Sequence, residues 1–403
     1  VIQKIEVYWG MKQTILILGG APAQVPVIRF AKEQGYFVIT ADYLPENPGH
    51  AVSDKYFNIS TTDKESILKL AREQKIDAIC AYASDPSAPT AAYVRDRLGL
   101  IGSSYKSVQT LSNKTLFRAF LKANLFASPW FCHGTTLKEL LAAYPGGKAI
   151  IKPADSSGSK GIFRIEDADD IKQYYDEALR FSRSGRVILE QFIQRKGPQI
   201  HGEGFVVNHE VRFLELGDQY FSTVNELVPY STILPSSAHT DVMPKVHALV
   251  KEVIRKVGFH TGGINVEVIR DQQDQLFVLE IGARNGGNFM PQLMKAATGF
   301  DLVGANVESL FGKEIQHCSK TTNRGYYAQL ILHATRDTVF SKVNIPALLE
   351  ECILEADIFA QPGQVIPQYR NSRDVAGVMI FRLDTNEQLE CYMDALRHNQ
   401  WIE

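Results

Sequence analysis

The first ninety residues after Lys12 constrain the fold more than any other feature. Thr14–Gly20 (TILILGG) is a short apolar run ending in two glycines, which reads as a buried strand. Val25–Gln34 follows with helical spacing, Gly35 stops it, and Tyr36–Ala41 is a second strand with Asp42 just past its end. Lys64–Gln74 reads as a helix, Ala78–Ala83 as a third apolar strand, and Ala88–Arg97 as a helix closed by Gly99. Strand and helix in alternation predict a doubly wound parallel sheet with crossover helices, an α/β unit. Ligands of such sheets sit beyond the strand carboxyl ends. A dinucleotide site is one candidate there, because Gly19–Pro26 (GGAPAQVP) joins strand to helix ahead of Asp42. The GxGxxG spacing is missing, however, and Ala21 and Pro22 narrow the approach to a pyrophosphate.

Beyond this unit the pattern changes. A helix over Asn113–Ala123 opens at Ser112, whose Ser-Asn pair supplies a cap. Ala149–Ile151, Phe163–Ile165, Val187–Gln191, Gly204–Asn208, Glu210–Leu216, Gly263–Ile269 and Leu276–Ile281 read as strands, with helices near Asp169–Arg180, Lys245–Val257 and Phe289–Ala297. That is an α+β region with mainly antiparallel pairing. After Gly312, strands over Tyr326–Leu332, Glu355–Ile358 and Gly377–Leu383 and helices over Ile345–Glu350 and Asn386–Arg397 suggest a small α+β domain. A length of 403 residues suits two or three domains. The shifts predict three, at residues 11–110, 111–312 and 313–403. Val1–Gly10 is either a remnant ahead of Met11 or an extra strand.

Charge and cysteine usage exclude several function classes. Lys+Arg 43 against Asp+Glu 45 leaves a net charge of −2, so nothing drives sequence-independent binding to nucleic acid or an anionic membrane. Cys80, Cys132, Cys318, Cys352 and Cys391 are too far apart for a zinc pattern, and an odd, sparse set fits a reducing compartment. No apolar run approaches the roughly 18 residues of a membrane span, and no signal peptide is visible. A cytoplasmic protein is expected.

Three segments carry candidate chemistry. Ile150–Ile162 (IIKPADSSGSKGI) runs from a strand ending at Lys152 into a loop of Ser156, Ser157, Gly158, Ser159, Lys160 and Gly161. Small residues let backbone N–H groups approach phosphate oxygens, and the lysines add charge; a plain hairpin turn is the other reading. Glu267 and Glu280 lie on strands joined by a short turn, so antiparallel pairing puts both carboxylates on one face. Like charges that close need a cation between them, and Mg²⁺ takes few carboxylates plus nucleotide phosphates. Arg284 follows amid small residues (EIGARNGGN) and suits a carboxylate or a developing phosphoryl charge. Val187–Ile193 (VILEQFI) is apolar except for Glu190 and Gln191; it is a core strand or the wall of an adenine slot.

These pieces, in this order, resemble the ATP-grasp superfamily over nearly the whole chain from Met11. The resemblance implies a pre-grasp domain followed by two lobes clasping ATP. Lys114 and Lys152 match the family's two nucleotide lysines, and Ser156–Gly161 its glycine-rich loop. Glu190 and Gln191, with the backbone of Phe192 and Ile193, match the adenine-binding hinge. Glu267 and Glu280 match the Mg²⁺ (or Mn²⁺) ligands, and Arg284 the catalytic arginine. Two departures stand out: Gly282 replaces an asparagine metal ligand, and Gln199–Gly204 (QIHGEG) replaces a Ser-x-Asp-Gly strand, which gives His201 and Glu203 unassigned roles. The GARxGG segment, Ser84–Leu100 and Arg373–Val378 are similar to the amino-acid-ligase branch and its carbamoyl-phosphate-synthase-like kin.

The resemblance implies an ADP-forming ligase that activates a carboxylate as an acyl phosphate and passes it to an amine. ATP and Mg²⁺ would be required, the partners would be small molecules, and a homodimer is the expected assembly. An ATP-dependent carboxylase using bicarbonate and a catalytically inactive nucleotide-binding regulator are the alternatives. On the acceptor side, Gly217–Thr240 is long, aromatic-rich and irregular, as lids and binding loops are. Within it Glu226 suits a substrate ammonium and His239 a base; Asn288 and Ser84 are further cleft candidates. His133, His247, His260, His317, His333 and His398 lack ligand spacing and read as structural.

Overall fold

The computed structural model describes residues 12–238, 241–315, 325–371, 374–399 and 401–403. Val1–Gly10, His317, Cys318 and Arg373 lie outside them. Strands β1 (Thr14–Leu18), β2 (Phe37–Asp42), β3 (Lys55–Asn58) and β4 (Ala78–Ala81) form a parallel sheet in the order β3-β2-β1-β4. Ile15, Leu16, Ile17 and Leu18 are all fully buried, because helices cover both faces. Leu16 and Leu18 pack toward helices Lys64–Glu73 and Ala88–Leu98, whereas Ile15 and Ile17 pack toward Val25–Glu33 and Leu302–Leu310. The last of these comes from far along the chain and ties the middle region to the first sheet. Sequence reading missed it because nearly every residue of LVGANVESL is buried, so no polar face marks a period.

The crevice at the carboxyl end of β1 is filled by the chain's own side chains. Gln24 is buried there and donates to the Tyr82 carbonyl at 2.8 Å. A Cβ on Gly20 would stand 2.3 Å from the His50 ring. The dinucleotide alternative therefore finds no room.

A second sheet holds β5 (Phe131–Gly134), β6 (Ala149–Pro153), β7 (Phe163–Ile165) and β8 (Val187–Gln191) in the order β5-β8-β6-β7, antiparallel throughout. Helices Leu137–Ala143 and Ala168–Arg180 close its core. The third sheet has eight strands: β9 (Gln199–Val207), β10 (Glu210–Phe221), β11 (Pro229–Leu234), β12 (Gly262–Arg270), β13 (Leu276–Gly282), β14 (Tyr326–Leu332), β16 (Ile353–Ile358) and β18 (Gly377–Leu383). Their order is β13-β12-β9-β10-β11-β14-β18-β16, and β15 (Thr338–Val339) pairs with β17 (Val365–Ile366) in a separate ribbon. The strands after residue 325 thus continue the sheet of the middle region. Behind this sheet, helix Val242–Val257 buries Val246, Val250 and Val253 in a core shared with the first sheet's helices. Among the described residues no helix is long and apolar enough to cross a membrane.

Four expectations are corrected. Half of residues 217–238 is strand, the end of β10 and all of β11, and residues 222–228 form the connection between them. Ser231 and Thr232, inside the segment expected to be irregular, are buried on the sheet at 1% exposure each. Residues 199–204 belong to β9, where Gly202 allows close backbone approach; a Cβ there would meet the Glu215 carbonyl at 2.1 Å. The helix after residue 112 is capped by Asn113, whose side chain accepts the Leu116 N–H at 3.1 Å, while Ser112 ends the preceding helix Tyr105–Ser112. In place of a helix over 345–350, a 3₁₀ segment spans Ala347–Cys352.

Candidate functional site

Lys114 is the first residue of helix Lys114–Ala123, so the Asn113 cap fixes where its side chain starts. Its Nζ donates to the Ser156 carbonyl at 3.1 Å and to Glu280 Oε2 at 3.0 Å. Lys152 projects from β6 and places Nζ 2.6 Å from Glu190 Oε2 on β8. One helical turn beyond Lys114, the fully buried Arg118 sets Nε 3.0 Å from Glu190 Oε1 and donates to the Leu279 carbonyl at 2.8 Å. Two cations thus share one buried carboxylate. Burial alone would raise the Glu190 pKa, but Arg118 and Lys152 outweigh it and hold the group at about 2. Burial lowers Lys152, and the nearby Arg118 and Lys114 add to this against the opposing pull of Glu190. Burial also pulls on Lys114, but Glu280 and Asp85 prevail and its pKa is raised. Arg118 escaped the sequence reading, although a charge between Phe117 and Leu121 on an apolar helix face was the available signal.

Glu267 on β12 and Glu280 on β13 are directly opposite each other. The register shifts just past Glu267, leaving Leu279 as the extra residue of a bulge; its carbonyl is the one Arg118 takes. Burial, and then the charge of Glu280, push Glu267 up to about 7. Gln199 Nε2 donates to Glu267 Oε2 at 3.2 Å. Among the described residues no three His, Cys, Asp or Glu side chains form a closed cage. Two facing carboxylates of this kind fit a hard cation that completes its shell with water and phosphate oxygens.

The loop after β13 is held from below. Glu203, fully buried on β9, accepts Asn285 Nδ2 at 2.6 Å, Asn265 Nδ2 at 2.6 Å and the Gly286 N–H at 2.9 Å. Burial pushes it up to about 7 against the pull of those donors. Asn306 Nδ2 bonds Asn285 from helix Leu302–Leu310. His201 is wedged between Thr232 Oγ1 at 3.1 Å and Asn265 Nδ2 at 3.0 Å, and burial, then Arg284, lower it to about 4, so its ring is neutral. Arg284 bonds the Asp85 carboxylate through one terminal nitrogen and the Asn285 carbonyl through the other, at 3.2 Å.

These groups line one cavity of about 470 Å³ between the second and third sheets. Lys114, Lys152, Glu267, Glu280 and Arg284 reach it, as do Ser156, Ser157, Gly158 and Ser159 of the loop and Glu190, Gln191, Phe192 and Ile193 of the β8 edge. Glu226 and Asn288 line it too. Glu226 is paired with Arg164 Nη1 at 3.1 Å, and Asn288 offers its carbonyl to Gln329. Lys160 and Gly161 are not on the wall; a Cβ on Gly161 would meet the Phe181 ring at 2.9 Å. Ser84 is not on it either: its hydroxyl bonds Ser87 Oγ at 2.6 Å, while the adjacent Asp85 faces the cavity. His239 lies outside the described residues. Gln199, Gln219 and Thr232, given no role from the sequence, supply a row of polar groups beside the acidic pair.

Comparison with known proteins follows the same outline. A family model described as the ATP-grasp domain matches residues 111–288. The uncharacterized protein y4rH of Sinorhizobium fredii (strain NBRC 101917 / NGR234) is 24% identical over 339 residues, covering 80% of this chain and 68% of that protein. The carbamoyl phosphate synthase large chain of Pseudothermotoga lettingae is 22% identical over 333 residues; the match takes in 75% of this chain but only 29% of that protein. The crystal structure of L-amino acid ligase from Bacillus licheniformis superposes with a TM-score of 0.78 at 19% identity over 97% of this chain and 98% of that one, a likeness of fold. Residues 111–288 thus match the ATP-grasp domain, and the fold around them is that of the solved ligase structure.

Proposed function

We propose that the chain is an ADP-forming carboxylate–amine ligase, built from a pre-grasp unit (11–110), an ATP-binding region (111–312) and a C-terminal region (313–403). The observation that carries this reading is convergence. Two lysines, two facing carboxylates and an arginine, drawn from separate elements and each partly buried, all line the same cavity. In this reading Lys114, Lys152 and the small residues 156–159 hold the ATP phosphates, with Lys160 and Gly161 shaping the far end of that loop. Gln191, Phe192 and Ile193 flank the adenine. Glu190 keeps Lys152 and Arg118 fixed and is not itself a phosphate partner, since phosphate and carboxylate repel. Glu267 and Glu280 would hold Mg²⁺, or Mn²⁺ in its place. When bound, that ion neutralises phosphate charge.

A carboxylate oxygen of the substrate attacks the γ-phosphorus, the bond to ADP breaks, and an acyl phosphate results. An amine then attacks the acyl carbon and phosphate leaves. Arg284 stabilises the charge on the transferring group and on the tetrahedral species. The chain need only position reactants and balance charge, as phosphoryl transfer demands. A homodimer is the proposed assembly, to be checked by light scattering. The test of the reaction is an ADP-release screen over amino acids and small carboxylates with amines present and mass spectrometry of the products. Stimulation by a carboxylate together with an amide-mass product supports the ligase; stimulation by bicarbonate alone transfers the site to a carboxylase. ADP release unaffected by any of them sinks the reading.

A further inference from the structure

We propose that Asp85, from the N-terminal sheet, is the positioning residue for Arg284, and that position 282 is glycine because this pair occupies the space a side chain there would need. The inference rests on the ligase reading for Arg284's task. Asp85 lies in the turn between β4 and helix Ala88–Leu98. The Ser84 and Ser87 hydroxyls bond across that turn at 2.6 Å, and the Ser87 N–H donates to the Ser84 carbonyl at 3.2 Å. A carboxylate on so fixed a turn is a rigid anchor.

Arg284 is gripped on both terminal nitrogens. One goes to Asp85 Oδ2, the other to the Asn285 carbonyl at 3.2 Å. Asn285 is itself immobilised through its side chain by Glu203 and Asn306. One anchor of the guanidinium therefore sits on a braced turn of the first sheet, and the other is held by buried side chains of β9 and helix Leu302–Leu310. Arg284 Nε is buried with no hydrogen-bond partner among the described residues. Such a donor is costly to leave unmet. Each terminal nitrogen keeps a second N–H beyond the bond named for it, and Arg284 lines the cavity where a substrate oxygen would accept it.

Gly282 lies against this pair. A Cβ at that position would stand 3.3 Å from Arg284 Cζ and 3.3 Å from Asp85 Oδ1. The further atoms of an asparagine would fall where the ion pair lies. A side chain at 282 and the Asp85–Arg284 pair thus compete for one space, and the first sheet contributes directly to the cleft rather than only supporting it.

The test uses the full chain with ATP and whichever carboxylate stimulates ADP release. Asp85→Ala and Gly282→Asn are each expected to lower kcat on the order of 10²-fold, the scale of a misplaced catalytic group. ATP affinity by calorimetry should fall far less than kcat, because both lysines and residues 156–159 are retained. Asp85→Glu should recover part of the loss. A purely structural role would instead reduce the active fraction and leave kcat per active site unchanged. A crystal structure of Asp85→Ala gives a readout independent of turnover, with the guanidinium expected to leave its present position. An unmoved guanidinium, an Asp85→Ala kcat within about twofold of the parent, or a Gly282→Asn variant more active than the parent overturns the proposal. A parent enzyme that no carboxylate stimulates overturns the ligase reading alone, and the crystal structure still judges the pair.

Discussion

Glu190 and Glu203 are both buried glutamates at the edges of one cleft, yet they are held in opposite ways. Glu190 stands between Arg118 and Lys152 and is driven down to about 2. Glu203 meets only side-chain amides and a backbone N–H and is pushed up to about 7. Burial opposes ionisation at both sites, so the neighbours decide. Cations make a carboxylate a fixed charge that spaces two further cations. Neutral donors make it a clamp on a loop. The first arrangement suits the side of the cleft assigned to phosphates, the second the loop that carries Arg284.

The largest effect that would break this comparison is on turnover. Glu280→Gln removes the charge that faces Glu267 and pairs with Lys114, and should lower carboxylate-stimulated ADP release by at least about 10²-fold, measured by a coupled ADP assay. Next comes stability. Glu190→Ala leaves Arg118 and Lys152 buried without a counter-charge and should cost about 3–5 kcal/mol in chemical denaturation. Glu203→Gln turns an amide donor toward Asn265, Asn285 and Gly286 and should cost less, about 1–3 kcal/mol. Equal losses at the two sites would erase the distinction.

The smallest effect, and the sharpest in sign, is on pH dependence. Glu190 is depressed from 4.5 to about 2, so its contribution is present above pH 4.5 and is lost as pH falls toward 2. Glu203 is raised from 4.5 to about 7. Between those values the folded chain keeps a proton that the unfolded chain has released, so stability falls as pH rises through that window. Glu267 adds a slope of the same sign there. Thermal melts should show Glu203→Gln lessening the decline between pH 4.5 and 7, and Glu190→Gln flattening only the acid limb.

Much of the site was legible because its chemistry is carried by residue type and order. Lys114, Lys152, Glu267, Glu280 and Arg284 each stand near the end of a recognisable element. Their partners were not legible. Arg118 reaches Glu190 over 72 residues, and Asp85 reaches Arg284 over 199. Such pairings exist only once three sheets are assembled. Local signals also misled where burial replaced patterning. Ser231 and Thr232 read as loop residues yet line a sheet, and helix Leu302–Leu310 is buried around nearly its whole circumference. The parallel sheet was the easiest part, since alternating apolar strands and amphipathic helices leave few other arrangements. Its strand β3 (KYFN) was missed because it sits at the sheet edge and buries little.

Isotope transfer tests the central claim most directly. The carboxylate that best stimulates ADP release is labelled with ¹⁸O in both oxygens and turned over with ATP and an amine. Activation through an acyl phosphate predicts one ¹⁸O in each released phosphate, because the oxygen that attacks phosphorus departs with it. Released phosphate carrying no ¹⁸O, with amide still formed, would contradict the account.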